Sequence, residues 1–316
     1  MTRNGDRGAF RRRGGRAVVA FAIALSVSAT DAAVGRAAEP TPTPPVDPPS
    51  VGADAELGID SRIDVGVNAD AGRDVGVGGD GFASTRGAVP VGPRQLFVGD
   101  FETGDFRQWD VCQSKLTNGR CSSLGRGNRA MSIVDAPGAR QGNHAARFTV
   151  RPGDVPNFGG GERSEVQSSA SGALVHEGDE RWYEWSVQYP QDMPDVSGRY
   201  FIILQWHSSS GSPPLAVDLS RGSVDIGGDG VKSAPRRTIG PIRRGEWVDY
   251  VLHVKFSRNA GTGYVEAWEN GRRTVPRTNR ATMVDGENYL KQGIYRGSNS
   301  RGEVSLTMDG LRVTAP

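Results

Sequence analysis

Residues Trp247–Ser257 read WVDYVLHVKFS. Val248, Tyr250, Leu252, Val254 and Phe256 fall on one parity, while Trp247, Asp249, His253 and Lys255 fall on the other. Successive side chains of a strand point to opposite faces, so this is a strand with one face in a core. The same alternation recurs on both sides of it. HAARFTV (144–150), RWYEWSVQYP (181–190), LAVDLS (215–220), NYLKQGIYR (288–296) and EVSLTMDGLRVT (303–314) all read as short strands, separated by Gly, Pro, Asn and Asp. GYVEAWENGR (263–272) carries Asn270-Gly271, a two-residue hairpin signal. No stretch sustains a helical stripe. The expected fold is all-β, an antiparallel β-sandwich of the jelly-roll type.

This pattern begins at QLFVGDFETGDFRQW (95–109), so the domain is expected over residues 95–316. Residues 39–94 are rich first in Pro and then in Gly, Ala and Asp, with no steady apolar period, and are expected to be a disordered linker. Residues 1–38 begin with a basic run, RRRGGR, followed by AVVAFAIALSVSA and small residues. That order predicts a secretory signal peptide cleaved after Ala33 or Ala38, and hence a secreted protein. Two cysteines, Cys112 and Cys121, remain in the exported part, and an oxidising compartment favours a disulfide between them. The chain-entropy model values so short a loop at about 2.7 kcal/mol. A formal net charge of +2 argues against a dedicated nucleic-acid binder. No membrane association is expected after signal cleavage, and the chain is expected to act as a monomer.

FIILQWH (201–207) departs from plain alternation in its chemistry. Leu204 and Trp206 share the core parity, which leaves Gln205 and His207 together on the other face. GGGERSEVQ (159–167) places Arg163 and Glu165 on one face, and NYLKQGIYR places Tyr289, Lys291 and Tyr295 on one parity, provided that the strand stays regular through Gly293. These residues supply an Arg, an amide, an imidazole, an ammonium and phenols. A glycoside hydrolase would need two carboxyl groups across the scissile bond. The nearest acidic stretch, SVDIGGDG (223–230), reads as a turn. The set suits β-elimination at a uronic acid, in which the carboxylate is neutralised, a base takes the C5 proton and an acid protonates the departing O4. His144, His176 and His253 read as surface or loop groups. No His or Cys pair has zinc-like spacing, and no cofactor is required by this chemistry. Loop oxygens near Asp100 or Asp309 are candidates for a structural calcium.

RSEV, QWH and YLKQGIY resemble the three signature strands of alginate lyases of polysaccharide lyase family 7, and the Lys-x-x-x-Tyr spacing is also similar to heparin lyase I. GDFETGDFRQW and WVDYVLHVKFSRNAGTGYVEAWENGR resemble more closely the bacterial lyases grouped with heparin lyase I and glucuronan lyase. The resemblance covers residues 95–316. It implies that Arg163 and Gln205 hold the uronate carboxylate, that His207 acts as base or carboxylate neutraliser, and that Tyr295 donates the proton. Glu165 would orient Arg163, Tyr289 would bind substrate, and Lys291 would bind substrate carboxylate and assist ionisation of the phenol by its charge. KQGIYRG departs from the alginate lyase pattern, which usually has an alanine and a terminal Asn-Gln there, and with the likeness to glucuronan lyase this sets the expectation of glucuronate-type or mannuronate-type polymers over guluronate. The rival from another class is a non-catalytic, lectin-like carbohydrate-binding module on the same fold.

Overall fold

The computed structural model describes residues 89, 91–170, 172–196, 200–209, 211–298 and 300–316. The expected signal peptide and nearly all of the expected linker lie outside them. Among the described residues no helix is long and apolar enough to cross a membrane.

Two antiparallel sheets face each other. One runs β15 (Arg272–Asn279), β14 (Tyr264–Glu269), β13 (Trp247–Lys255), β8 (Glu180–Gln188), β17 (Val304–Ala315), β5 (His144–Val150) and β4 (Met131–Asp135), with β1 (Arg94–Gly99) also paired to β17. The other runs β12 (Arg237–Pro241), β11 (Ser223–Gly227), β10 (Leu215–Ser220), β9 (Phe201–His207), β16 (Glu287–Arg296), β6 (Glu162–Ser168), β2 (Val111–Ser114) and β3 (Asn118–Arg120), with β7 (Val175–His176) on β16. This is the jelly-roll sandwich, and its strands come from residues far apart in sequence.

The core lies between the sheets. From β13 it takes Val248, Tyr250, Leu252 and Val254, together with Phe256 just beyond the strand. The facing sheet gives Val166, Leu204, Trp206, Val217, Leu219, Val224, Ile226, Leu290 and Ile294. The residues of opposite parity in β6, β9 and β16 therefore line the outer face of that sheet. Asn270 and Gly271 adopt positive φ, 48° and 77°, and close the β14–β15 hairpin.

Cys112 in β2 is bonded to Cys121, with their Cα atoms 4.9 Å apart. Both are fully buried. The bridge staples the β2–β3 hairpin, which forms one edge of the second sheet. Mass analysis without reductant should show the two thiols linked, and replacing both by serine should lower unfolding free energy by about 2–4 kcal/mol in a denaturant titration.

Candidate active site

The outer face of the second sheet collects its polar residues at three adjacent strands, β6, β16 and β9. Backbone register sets Tyr295 opposite Arg163, Gly293 opposite Glu165, Lys291 opposite Gln205 and Tyr289 opposite His207. The centre is the carboxylate of Glu165, only 2% exposed. Its Oε1 accepts a hydrogen bond from Gln205 Nε2 at 2.5 Å. Its Oε2 accepts from Lys291 Nζ at 2.7 Å and from Arg163 Nη1 at 3.3 Å. A buried carboxylate is tolerable only when its lone pairs are satisfied and its charge is offset, and here one amide and two cations do both.

This arrangement sharpens three of the expected roles. Lys291 is 3% exposed and tied to Glu165, so its ammonium is enclosed in the cluster with its charge already shared. Burial lowers its pKa, and Glu165 opposes that shift. Gln205 gives one of its two amide N–H groups to Glu165, and its Oε1 is buried without a partner. Arg163 keeps Nε unpaired and lays its guanidinium over the Tyr295 ring, 4.0 Å from the centroid.

Tyr295 remains in phase with Lys291 because β16 pairs with β6 without interruption through Gly293. Against β9 the register shifts between Gln292 and Tyr295. Gly293 has φ +133°, and a Cβ there would lie 2.3 Å from the Ser164 carbonyl oxygen, so only glycine fits. Tyr200, which sequence reasoning passed over, packs its ring 4.9 Å from that of Tyr295. Burial holds the Tyr200 phenol above its usual range, with the neighbouring Tyr295 phenol adding to the effect, so Tyr200 keeps its proton beside Tyr295. Its position one residue before FIIL gives no periodic signal for this. A Cβ on Gly160 would lie 3.3 Å from the Tyr295 hydroxyl and 2.9 Å from Arg163, so the glycine run before β6 lets the backbone rest directly on both.

His207 Nδ1 lies 2.5 Å from the Ser208 carbonyl oxygen. A carbonyl only accepts, so Nδ1 carries the proton and Nε2 bears the free lone pair. The Tyr289 hydroxyl stands 3.2 Å from the same Nδ1. Burial lowers the His207 pKa, with Lys291 adding to the effect, so the ring is neutral near pH 7 and suits a base better than a charge neutraliser.

Tyr295 and His207 both line a cavity of about 890 Å³ that extends over β9, β10, β11 and β12. Its far part corrects one sequence expectation. SVDIG is strand β11, not a turn, and Asp225 pairs in register with Asp218 of β10. The carboxylate pair missing from the sequence reading is therefore assembled by the sheet. His253 is a second correction. It is 3% exposed, stacked on Trp182 at 3.8 Å and bonded to Glu180 at 2.8 Å, on the first sheet and not in a loop. Asp309 accepts from the backbone nitrogens of Arg140 and Gln141, and Asp100 accepts from Glu102 and Gln108. Among the described residues no three carboxylate, imidazole or thiolate side chains converge as a metal site.

A family model described as polysaccharide lyase matches residues 101–312, which takes in every strand of the groove. The chain belongs to the polysaccharide lyase family. No curated protein sequence matches it, and the solved structures that resemble it are distant. An endo-β-1,4-glucuronan lyase from the fungus Trichoderma reesei has a TM-score of 0.53 at 18% identity, with 70% of this chain and 96% of that one covered. The catalytic domain of a glycoside hydrolase family 131 protein from Coprinopsis cinerea has a TM-score of 0.51 at 14% identity, covering 71% and 95%. The family 7 alginate lyase A1-II′, as a variant with bound substrate, has a TM-score of 0.48 at 17% identity, covering 69% and 97%. The first two likenesses place the fold, which a lyase and a hydrolase share. Membership of the polysaccharide lyase family, and not a lack of carboxylates, separates this enzyme from a hydrolase or a lectin.

Glu165→Gln should destabilise this lyase by about 3–5 kcal/mol in chemical denaturation, because it leaves the buried Lys291 ammonium without its counter-charge. A loss below about 1 kcal/mol would mean that the cluster is not held by charge.

Proposed function

We propose that this polysaccharide lyase is exported and depolymerises an acidic, uronate-containing glycan by β-elimination. The observation that carries the reading is the Tyr295 phenol, with the Arg163 guanidinium over its ring and the Tyr200 ring packed beside it at the edge of the Glu165 cluster. Export is supported by the signal-like residues 1–38 and the Cys112–Cys121 bond. A uronate carboxylate set against Arg163, with the Lys291 charge in the same cluster, loses much of its negative character, and the C5 hydrogen becomes acidic. Tyr295, as phenolate, takes that proton. The C5–H electron pair becomes the C4–C5 double bond, the C4–O4 bond breaks, and the proton passes from Tyr295 to O4. Tyr200, packed beside Tyr295, would donate to that oxygen while it bears charge. The reaction draws on side chains alone.

In glucuronate and mannuronate the C5 hydrogen and O4 lie on the same side of the ring, so one tyrosine serves both transfers. In guluronate and iduronate they lie on opposite sides, and His207, with Nε2 free, is the group that would act as a separate base. We favour the glucuronate type, in keeping with the departure at KQGIYRG.

Initial rates on glucuronan, mannuronate-rich alginate, guluronate-rich alginate and heparin, followed by the ultraviolet absorbance of the unsaturated uronate, test the assignment. Tyr295→Phe should abolish turnover while leaving binding intact, and Tyr200→Phe should lower kcat about tenfold, the worth of one hydrogen bond. Faster cleavage of guluronate blocks or heparin would transfer the base role to His207. The pH profile gives an independent check. A lowered pKa keeps His207 neutral as pH falls through 6.5, so an acid limb of kcat/KM that reports this ring should inflect below that value and vanish in His207→Gln. An inflection at or above 6.5 would contradict the assigned environment.

A further inference from the structure

The cavity beside Tyr295 has a second floor of different chemistry. One row of the sheet runs Tyr295, Ile202, Asp218, Asp225, Thr238, each in register with the next. At about 4.8 Å per strand, the backbone of Asp218 lies two strands, roughly 10 Å, from that of Tyr295. Ile202 can occupy this row because β9 carries an extra residue opposite β10: Ile203 and Leu204 both enter the core, and Ile202 is left on the cavity wall. We propose that the Asp218–Asp225 floor is a subsite for an uncharged hexose, recognised through its hydroxyls, beside the subsite that takes the uronate. The inference rests on the reading of the site as a uronate lyase.

The argument is one of charge and depth. The Asp218 side chain is 9% exposed, and its Oδ2 accepts from Arg236 Nη2 at 2.9 Å. Its Oδ1 has no hydrogen-bond partner among the described residues, although the residue lines the cavity. Asp225 accepts from Thr238 at 2.7 Å and from Ser223 at 3.1 Å, and Asp229 lines the same space. Burial, opposed by Arg236, raises the Asp218 pKa to about 6, which leaves it ionised at neutral pH. The cations here are Arg236, already engaged, Arg280, buried with its donors spent on main-chain carbonyls, and Arg221 and Arg237, which are exposed where solvent screens them. A uronate carboxylate brought to this floor would become a further anion within one strand spacing of two others. A sugar hydroxyl instead donates to a carboxylate, a charge-assisted bond. The floor is also fixed in advance: Arg280, 1% exposed, donates to the carbonyl oxygens of Pro214, Gly227 and Pro235 and so ties together the segments that carry β10, β11 and β12. The groove thus changes from a floor that neutralises a carboxylate to one that accepts from hydroxyls. The matching substrate is a heteropolymer in which a 4-linked uronate adjoins a neutral hexose.

The test uses the full chain and two polymers: glucuronan, and deacylated gellan, whose 4-linked glucuronate is flanked by neutral hexoses. Wild type should show kcat/KM at least tenfold higher on gellan. Asp218→Asn and Asp225→Asn should each reduce that ratio tenfold or more by losing rate on gellan and sparing glucuronan; thermal melts check folding, and Asp225→Asn stands if Asp218→Asn unfolds. A preference for glucuronan, or equal loss on both polymers, overturns the subsite. If neither polymer yields an unsaturated uronate, the lyase reading fails separately. Calorimetric titration with cellotetraose then decides: saturable binding weakened tenfold by Asp225→Asn sustains the subsite, and no binding overturns it.

Discussion

The carboxylate of Glu165 joins three strands that the sequence keeps far apart. It is buried, and its two oxygens are shared among an amide from β9, an ammonium from β16 and a guanidinium from its own strand β6. Removing a carboxylate from water costs several kcal/mol, and only simultaneous engagement of all three partners offsets that cost. The strands must therefore adopt the one register that brings these groups together. A slip of one residue would send Lys291 and Gln205 into the core. The orientation of Arg163, and through it the packing on Tyr295, follows from the same constraint.

Around this fixed point the backbone departs from regularity where the groove needs shape. Gly293 lets β16 stay in step with β6 while shifting against β9, and the extra residue in β9 turns Ile202 outward. Bulges of this kind re-aim side chains at the edge of a site. Their result is a single row that runs from the phenol of Tyr295 to the carboxylates of Asp218 and Asp225.

That row gives the groove a polarity. At one end the Arg163 guanidinium lies over the phenol ring, and the buried Lys291 ammonium shares Glu165 with it, suited to a carboxylate and to a developing phenolate. At the other, the groups facing the groove are acceptors, the buried Arg280 is spent on main-chain carbonyls and the remaining cations sit at the rim. His207 lies outside both sets, neutral because burial disfavours its charged form and bound through Nδ1 to a main-chain carbonyl.

Much of this was written in the sequence. Period-two alternation in Trp247–Phe256, the Asn270-Gly271 turn and the paired cysteines determine the sandwich, its hairpin and its staple, because each is a local rule of strand geometry or redox chemistry. The parity of Arg163, Glu165, Gln205, His207, Lys291 and Tyr295 likewise places them on one face, since a strand with its other face in the core has no second choice. The tertiary structure decided what parity cannot express. It enclosed Lys291 and Gln205 around Glu165, because those contacts run between strands 40 to 126 residues apart. It brought Tyr200 against Tyr295 from a position with no periodic mark, moved His253 from the surface to a buried pair with Glu180, and turned SVDIGGDG from an expected turn into the strand that sets Asp225 beside Asp218. Register across a sheet depends on which strands become neighbours, and that is settled by the packing of the whole sandwich and not by any one segment.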